Sequence, residues 1–594
     1  MNLITLVRVT ICTATMWLAA FAHAGALRFV GAGSDCNYHT IQAAVTSAAS
    51  GDTLYVTNNP TTYSEHVTIA NKSLTILGRT STSCTLIIGG VQTNATAGTP
   101  TVDGGNSGIV FNISGTSTVS ISGLTITGGN NGGGDGGGIS YNGAGTLTLT
   151  NVAVIDNKAG YGAGINFKGN GGHADLRLKD GALVFGNTAS TSGGGVRIEG
   201  DARLIMVGAN ASISGNTASD SGFGGGVEIL GPARADITGY GLSPIAANGA
   251  GKGGGIAVID NGNGAAVLRT FAYGPTQTPA LINGNSATLL GGAIYLEKNA
   301  VACLYATRVE GNSAPEGAAF YKNDVGYATT GLFLNGGQSV DLGGECGPEF
   351  IASLGGASAC PTGSACSTIS GNTGAGSTIY NFGSRFTGTR FRMQNNEATD
   401  VIFLRAASAD LKRCLLTDNH ASGALINADY ANAGSGEHIS TCTIANNNIQ
   451  GAYLFEMLEQ TGIELTYDII DAQFASVLHH SSAAAYTPVV GYVLASEIAT
   501  LSSTTNPSVV RGLPYFVDGL HGDYHLWPVA QLALDFATTG GDVDLDGRSA
   551  NVDLPTIVNN YGPGDLGAFE RMNLFDNCGN AFDTLFCNGY EHAF

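Results

Sequence analysis

Proline, tryptophan and charge are all scarce in this chain of 594 residues, which has 15 Pro, 2 Trp and only 12% charged residues. A collagen-like rod needs abundant Pro and Gly at every third position, and neither is present. A disordered chain needs high charge and low hydrophobicity, whereas 43% of these residues are hydrophobic. Bases are the scarcer charge, 25 against 45 acids, for a formal net charge of −20. That balance excludes nucleic acid and anionic lipid as expected partners, because both reward basic patches. It also weighs against polyuronate substrates unless a local basic groove or calcium intervenes. No Cys-x-x-Cys pair occurs, so the zinc and dithiol-redox motifs are missing. No apolar run long enough to span a bilayer follows the first 24 residues, so no transmembrane segment is expected in the mature chain. What is abundant is glycine, with 89 residues or about 15%, roughly twice average usage. Each Gly inside a helix costs about 1 kcal/mol relative to Ala, so a helical bundle is excluded. A large β protein with Gly-dense turns remains.

Residues 1–24 read as a secretory signal: Arg8, an apolar run from Val9 to Phe21, then Ala22-His23-Ala24 in the small-x-small pattern that precedes cleavage. Without Arg8 the mature chain carries 24 bases against 45 acids, a net of −21. Ten cysteines remain after Cys12 is removed, and an even number in an exported chain reads as a disulfide framework. Spacing predicts Cys36–Cys84, Cys414–Cys442 and Cys578–Cys587. The pairing of Cys303, Cys346, Cys360 and Cys366 is not legible.

Two signals recur along the chain. The first is three small residues followed by an apolar one, as in Gly136-Gly137-Gly138-Ile139, Gly193-Gly194-Gly195-Val196 and Gly317-Ala318-Ala319-Phe320. Its apolar position falls at 139, 165, 196, 227, 256, 294 and 320, steps of 26 to 38 residues. The second is an apolar residue, two spacers and Asn, as in Ile213 with Asn216, Ile282 with Asn285, Val309 with Asn312, Ile369 with Asn372, Met393 with Asn396, Leu416 with Asn419 and Ile444 with Asn447. Asn157 and Asn187 sit in similar settings, with a spacing that reads as slightly different. Two ladders at one period are the signature of a solenoid. Within each repeat the side chains alternate, as in Val196-Arg197-Ile198-Glu199 and Ile294-Tyr295-Leu296-Glu297, which is the period of a half-buried strand. Stacked Asn side chains can bond one another along the axis. The prediction is an all-β, single-stranded right-handed parallel β-helix over 25–510, with coils about 4.8 Å apart.

These repeats resemble those of polymorphic outer membrane proteins and related bacterial β-helix proteins. Tyr38-His39-Thr40-Ile41-Gln42-Ala43-Ala44-Val45, with Gly51-Asp52-Thr53-Leu54 and Ser73-Leu74-Thr75-Ile76-Leu77-Gly78, is similar to the start of pectin-lyase-like β-helices. That resemblance implies a short N-terminal helix capping the open end of the core. Residues 511–570 resemble the closing segment of choice-of-anchor Q surface proteins, through Pro514-Tyr515-Phe516-Val517-Asp518, Gly522-Asp523-Tyr524-His525-Leu526, Asp544-Leu545-Asp546-Gly547-Arg548 and Asp565-Leu566-Gly567-Ala568-Phe569-Glu570. The tail 571–594 reads as a sorting element or an end cap, and is too short for an autotransporter barrel.

The enzymatic motifs of the pectin-lyase-like superfamily are absent: no Asn-Thr-Asp, Gly-His-Gly or Arg-Ile-Lys of polygalacturonase-like chains, and no Gly-Arg-Pro-Trp of methylesterase-like ones. Lys168, Arg177, Lys179, Arg197 and Arg203, with Asp175 and Glu199, fall on neighbouring coils and form the candidate binding surface; a solvated strand face with paired charges explains them equally. Asp542, Asp544 and Asp546 alternate before Gly547, with Asp553 at the twelfth position, which matches the start of a calcium loop. The competing explanation is a turn within the closing segment. His479-His480 point to opposite faces of a strand and would not share a metal. His525 reads as structural. The outward column Ser140, Asn166, Arg197, Glu228, Ala257, Tyr295, Tyr321 is too irregular for an ice-binding threonine ladder. The expected function is adhesion, or binding of an extracellular glycan or a host or neighbouring surface protein, by an exported rod. The alternative is a polysaccharide lyase or hydrolase on the same scaffold.

Overall fold

The computed structural model describes residues 25–85, 100–239, 244–272, 278–323, 331–335, 367–429, 436–459, 461–473, 475–481, 488–501, 508–536, 543–550, 552–554 and 557–571. The chain winds as a parallel β-helix whose strands form three long ladders. One coil shows the plan. Residues 165–168 lie on the first face, 174–179 on the second and Leu183–Phe185 on the third, and Thr188–Ser192 run along a short corner strip before the next coil begins. Every step of the three ladders is parallel, for example Ile165↔Val196, Leu176↔Leu204 and Val184↔Ile213.

Register is kept by side chains of one kind stacking inward. On the third face Val102, Ile126, Val154, Val184, Ile213, Ile245, Ile282, Val309, Ile369, Met393, Leu416, Ile444 and Ile470 are partners in sequence, coil after coil. All belong to one continuous apolar core. Slipping a strand by one residue would turn this column to solvent, so the alternation fixes the register.

The two sequence signals prove to be halves of one corner. Each Asn side chain donates from Nδ2 to Oδ1 of the Asn in the next coil, at 2.9–3.1 Å, through Asn157, Asn187, Asn216, Asn248, Asn285, Asn312, Asn372, Asn396, Asn419 and Asn447. The backbone N–H of each donates to the same Oδ1, as in Asn187 N to Asn216 Oδ1 at 3.0 Å. Asn248 belongs to this ladder as well, three residues after Ile245. Asn157 and Asn187 keep the regular spacing from Val154 and Val184, which corrects the reading of an altered one. The Gly cluster makes room for this ladder. A Cβ on Gly195 would sit 2.6 Å from Gly226 O and 2.9 Å from Asn216 Nδ2, and Gly193, two residues earlier, turns the corner at φ +67°. Only Gly meets both demands at low cost.

At the N-terminal end helix α1 (Ile41–Ser47) lays Ile41, Ala44 and Val45 over the first coil. Thr40 caps it by accepting from Ala43 N, and Glu65 accepts from the backbone N–H groups of Ile41 and Gln42 at 2.8 and 2.9 Å. Cys36–Cys84 and Cys414–Cys442 are the predicted disulfides, and Cys303 is disulfide-bonded as well. Cys346, Cys360, Cys366, Cys578 and Cys587 lie outside the described residues, as do the signal segment 1–24 and the tail from residue 572. No described helix is long and apolar enough to cross a membrane.

The C-terminal end is closed by side chains. Glu497 Oε2 accepts from Val477 N at 3.2 Å and Thr500 Oγ1 from Leu478 N at 3.1 Å, so the last strand of the first face (Ser476–His480) meets carboxylate and hydroxyl instead of another strand. Ile498 and Leu501 fill the core beneath. The segment 511–570, expected from its resemblance to be a closing segment, packs against the coils. From residue 511 to 571 the chain folds back as a strap along the outside of the third face. Leu526, Ala533, Leu534 and Leu566 pack on Ile469 and Leu494, and Leu545, Ala568 and Phe569 pack on Leu415 and Ala445. Gly567 N donates to Tyr467 O and Ala568 N to Thr443 Oγ1, both at 2.9 Å.

Candidate functional site

The residues expected to form one binding surface are divided between two faces. Lys168, Arg197 and Glu199 stand on the first face, where Lys168 meets Glu199 at 3.2 Å and Arg197 meets Glu199 at 2.9 Å and Glu228 at 3.0 Å. Burial pushes the Glu228 carboxyl up to about 7. Arg177 and Lys179 stand on the second face, with Arg177 held by Asp175 at 2.7 Å. Arg203 is also on the second face, bound to buried Asp236 at 2.6 Å. Apart from Lys179, these cations are engaged by neighbouring acids.

The calcium-loop residues are likewise dispersed. Asp542 lies outside the described residues. Asp544 accepts from Arg548 N at 2.7 Å and from Glu570 N at 3.2 Å. Asp546, fully buried, lies 2.9 Å from His525 Nε2 and 3.6 Å from Arg392 Nη2, while Asp553 is exposed. Among the described residues, the one group of three His, Cys, Asp or Glu ligand atoms lying within 4.8 Å of one another is Asp35, Cys36 and Cys84, and its two sulfurs are bonded to each other. His479 lies beside Glu456 at 3.7 Å and stacks on Tyr453, whereas His480 Nε2 meets Thr461 O at 3.1 Å.

A concave site forms where the corner strip contracts. The chain takes nine residues from Asn285 to Ile294, eight from Asn312 to Phe320, seven from Asn372 to Ile379 and six from Asn396 to Ile402. Both ends of each span are pinned, the Asn by its ladder and the apolar residue by parallel pairing. The shortening corner must therefore draw inward. Pro315 lacks a backbone N–H, and here the strip is reduced to isolated bridges at Ser313 and Thr373 between the strand Ser286–Leu290 and the pair Glu397–Ala398. The result is an open depression of about 510 Å³. Ala287, Ala314, Pro315 and Ala375 give it apolar surface, and Ser313, Thr373 and Glu397 give it polar surface.

Two further acids lie close to its lining residues in the fold. Glu316 follows Pro315 and accepts from Ser377 Oγ at 3.2 Å, while Gly376 leaves room for it, since a Cβ there would lie 2.1 Å from Glu316 Oε1. Asp400 pairs with Ser377 across the next step and accepts from Ala424 N at 2.8 Å and Asn427 Nδ2 at 3.0 Å. Burial raises both acids above their ordinary values, and the charge of Asp400 adds to the rise at Glu316. On the adjoining first face, Tyr295, Tyr321, Tyr380 and Phe403 stack in a column with centroids 5.7, 4.5 and 5.4 Å apart. The column therefore extends past Tyr321 to Tyr380 and Phe403. The coil of Tyr380 lacks the three-small-residue signal, reading Gly376-Ser377-Thr378-Ile379, and it begins only after a long insertion, so its register with Tyr321 is not legible from the repeat. No family model matches the chain, and no curated protein matches it.

Proposed function

We propose that this chain is an exported β-helix protein, placed at the outer cell surface or secreted, that binds an extracellular glycan on the side of its rod. Export is supported by the signal-like prefix 1–24 and by disulfides at Cys36–Cys84, Cys414–Cys442 and Cys303, which persist in oxidising compartments. The resemblance to pectin-lyase-like and polymorphic outer membrane protein repeats, and to choice-of-anchor Q closing segments, supports a surface role. The observation that carries the glycan reading is the contracted corner. A concave surface pairing small apolar side chains with hydroxyls and carboxyls suits a sugar ring, which is apolar on its C–H faces and polar at its edges. The solenoid is preorganised, so little ordering cost opposes binding.

The test is a glycan array followed by titration of hits against the purified protein and against Ala375→Arg, which fills the depression. The expected result is binding without product release, lost in Ala375→Arg. Binding that survives Ala375→Arg unchanged would place the ligand elsewhere on the rod. Release of shorter saccharides at enzyme-like turnover would replace the adhesive reading with the polysaccharide lyase or hydrolase one, for which Glu397, the carboxylate lining the depression, is the first residue to mutate.

A further inference from the structure

We infer that an apolar patch on the outer side of the strap is the docking surface of the chain's own segment 572–594, which makes that segment an end cap and not a free sorting element. Among the described residues eleven large hydrophobic side chains are exposed, and seven of them lie between Leu513 and Tyr561. The other four, Leu27, Phe185, Leu289 and Val489, are scattered over the rest of the rod. Singly exposed apolar residues are ordinary, whereas a contiguous group marks a surface that something covers. The contiguous part here is Leu513, Tyr515, Val529 and Leu532, exposed by 58, 53, 64 and 41%. Two short runs carry them side by side. Phe516 pairs antiparallel with Leu526, Trp527 N donates to Tyr515 O at 2.9 Å, and a Cβ on Gly512 would lie 2.5 Å from Leu532 Cδ1. The strap is one chain thick, and Leu526, Ala530, Ala533 and Leu534 take its inner side against Ile469 and Leu494. Its outer apolar residues therefore call for a further layer.

Three observations name the occupant. The strap ends at the patch: Arg571, its last residue, donates from its backbone N to Asp565 Oδ2 at 2.7 Å and from Nη1 to Leu526 O, so residue 572 starts beside the run that carries Val529. Extended chain advances about 3.3 Å per residue, so a few residues reach across the patch. The composition of 572–594 matches it. Leu574-Phe575, Phe582 and Leu585-Phe586 are apolar, and the charges are Asp576, Asp583 and Glu591, with no Lys or Arg. On the patch side, Arg511 is exposed next to Gly512-Leu513 and forms no ion pair with any described residue, its Nε donating to Ser496 O at 3.4 Å. Acids of the segment thus meet a cation where its apolar residues meet the patch. A tether this short also holds the segment at an effective concentration on the order of millimolar. A second copy of the chain has no such advantage and would bring its own net charge of −20 against the first.

The experiment places a photoreactive benzoyl-phenylalanine at position 529 of the full chain and maps the cross-linked peptides by mass spectrometry. The expected result is a cross-link within one chain to 572–594, at a yield independent of protein concentration. Phe575→Asp combined with Phe586→Asp should cut that yield about fivefold or more, and should raise the fluorescence of a bound hydrophobic dye about twofold as the patch is uncovered. Arg511→Glu should lower the yield about twofold, the smaller effect of an exposed charge. Far-ultraviolet circular dichroism matching that of the unsubstituted chain shows that each variant keeps the rod. Absence of the cross-link, or a yield that these changes leave alone, overturns the inference. A cross-link between two chains that grows with protein concentration also overturns it, and assigns the patch to a second copy.

Discussion

The coils from residue 129 to 447 and the strap from 511 to 571 bury polar groups in opposite ways. At the corner of the coils the buried polar side chains are neutral amides, identical from turn to turn, each bonded above and below and to backbone carbonyls, while buried charges such as Asp236 and Glu437 occur singly on the faces. In the strap they are ionisable and each is different. His525 has Asp523 Oδ1 2.6 Å from one ring nitrogen and Asp546 Oδ2 2.9 Å from the other, so both nitrogens must carry hydrogen and the ring is an imidazolium. Burial opposes that charge, but Asp523 and Asp546 outweigh it and hold the ring at about 9. Asp535 and Asp544, raised by burial to about 6, accept backbone N–H groups of the same strap. A repeated neutral device can propagate along an axis, because each copy satisfies the next. A charged one must be balanced locally, and it belongs to a segment with a single place to dock.

The comparison breaks most visibly at the ladder. Asn216→Ala removes the acceptor of two Asn187 N–H groups and a donor to Val184 O, all in the core. Each orphaned buried group costs about 1–3 kcal/mol, so a loss of about 3–5 kcal/mol is expected in urea unfolding, with the strap lost together with the coils. His525→Gln should act on one region only. Breaking a buried ion pair costs about 3 kcal/mol, and hydrogen exchange should show Gly567 and Ala568 amides losing protection while the Asn216 amide keeps its own. Equal loss at both places would mean that strap and coils form one cooperative unit.

Protonation sharpens the contrast further. Glu437 lies fully buried inside the solenoid, accepting from Ala409 N at 2.6 Å, and burial pushes its carboxyl up to about 8 from 4.5. An acid raised in the folded state gives stability that is complete below 4.5 and is lost as pH rises through about 8. Glu437→Gln should therefore flatten the decline in stability between pH 5 and 8, measured by thermal melts across that range. The smallest effect is expected at Asp35, where Ser83, then the backbone and hydroxyl of Thr85, hold the carboxyl down to about 2. A lowered acid gives stability above 3.8 that is lost as pH falls through about 2. Asp35→Asn should shift only the acid limb of the stability curve.

How much of this was legible follows from periodicity. Gly195 and Asn216 repeat, and repetition makes the fold and the corner legible in the sequence. Two predicted disulfides came from spacing alone. The strap offered Pro, Asp and Gly in turn-like runs, but nothing in Asp544 or Asp546 said that their partners would be backbone N–H groups, His525 and Arg392. The alternation of those acids resembled a calcium loop for the same reason: spacing shows which groups are near in the chain and is silent about donors that arrive from 150 residues away. The depression escaped notice because it arises from a difference, nine residues contracting to six, between spans whose ends only the stacked coils hold fixed.

The amino-acid order by itself determined a solenoid of short strands, its inward columns and its Gly–Asn corner, since a period of two within coils and one apolar residue per turn leave the backbone a single way to bury its apolar side. Only the tertiary structure decided that residues 511–571 run back along the third face, that Lys168 and Arg177 look in different directions, and that Ala287, Ser313, Thr373 and Glu397 line one hollow. Those outcomes depend on contacts between residues far apart in the chain, whose energies no local pattern records.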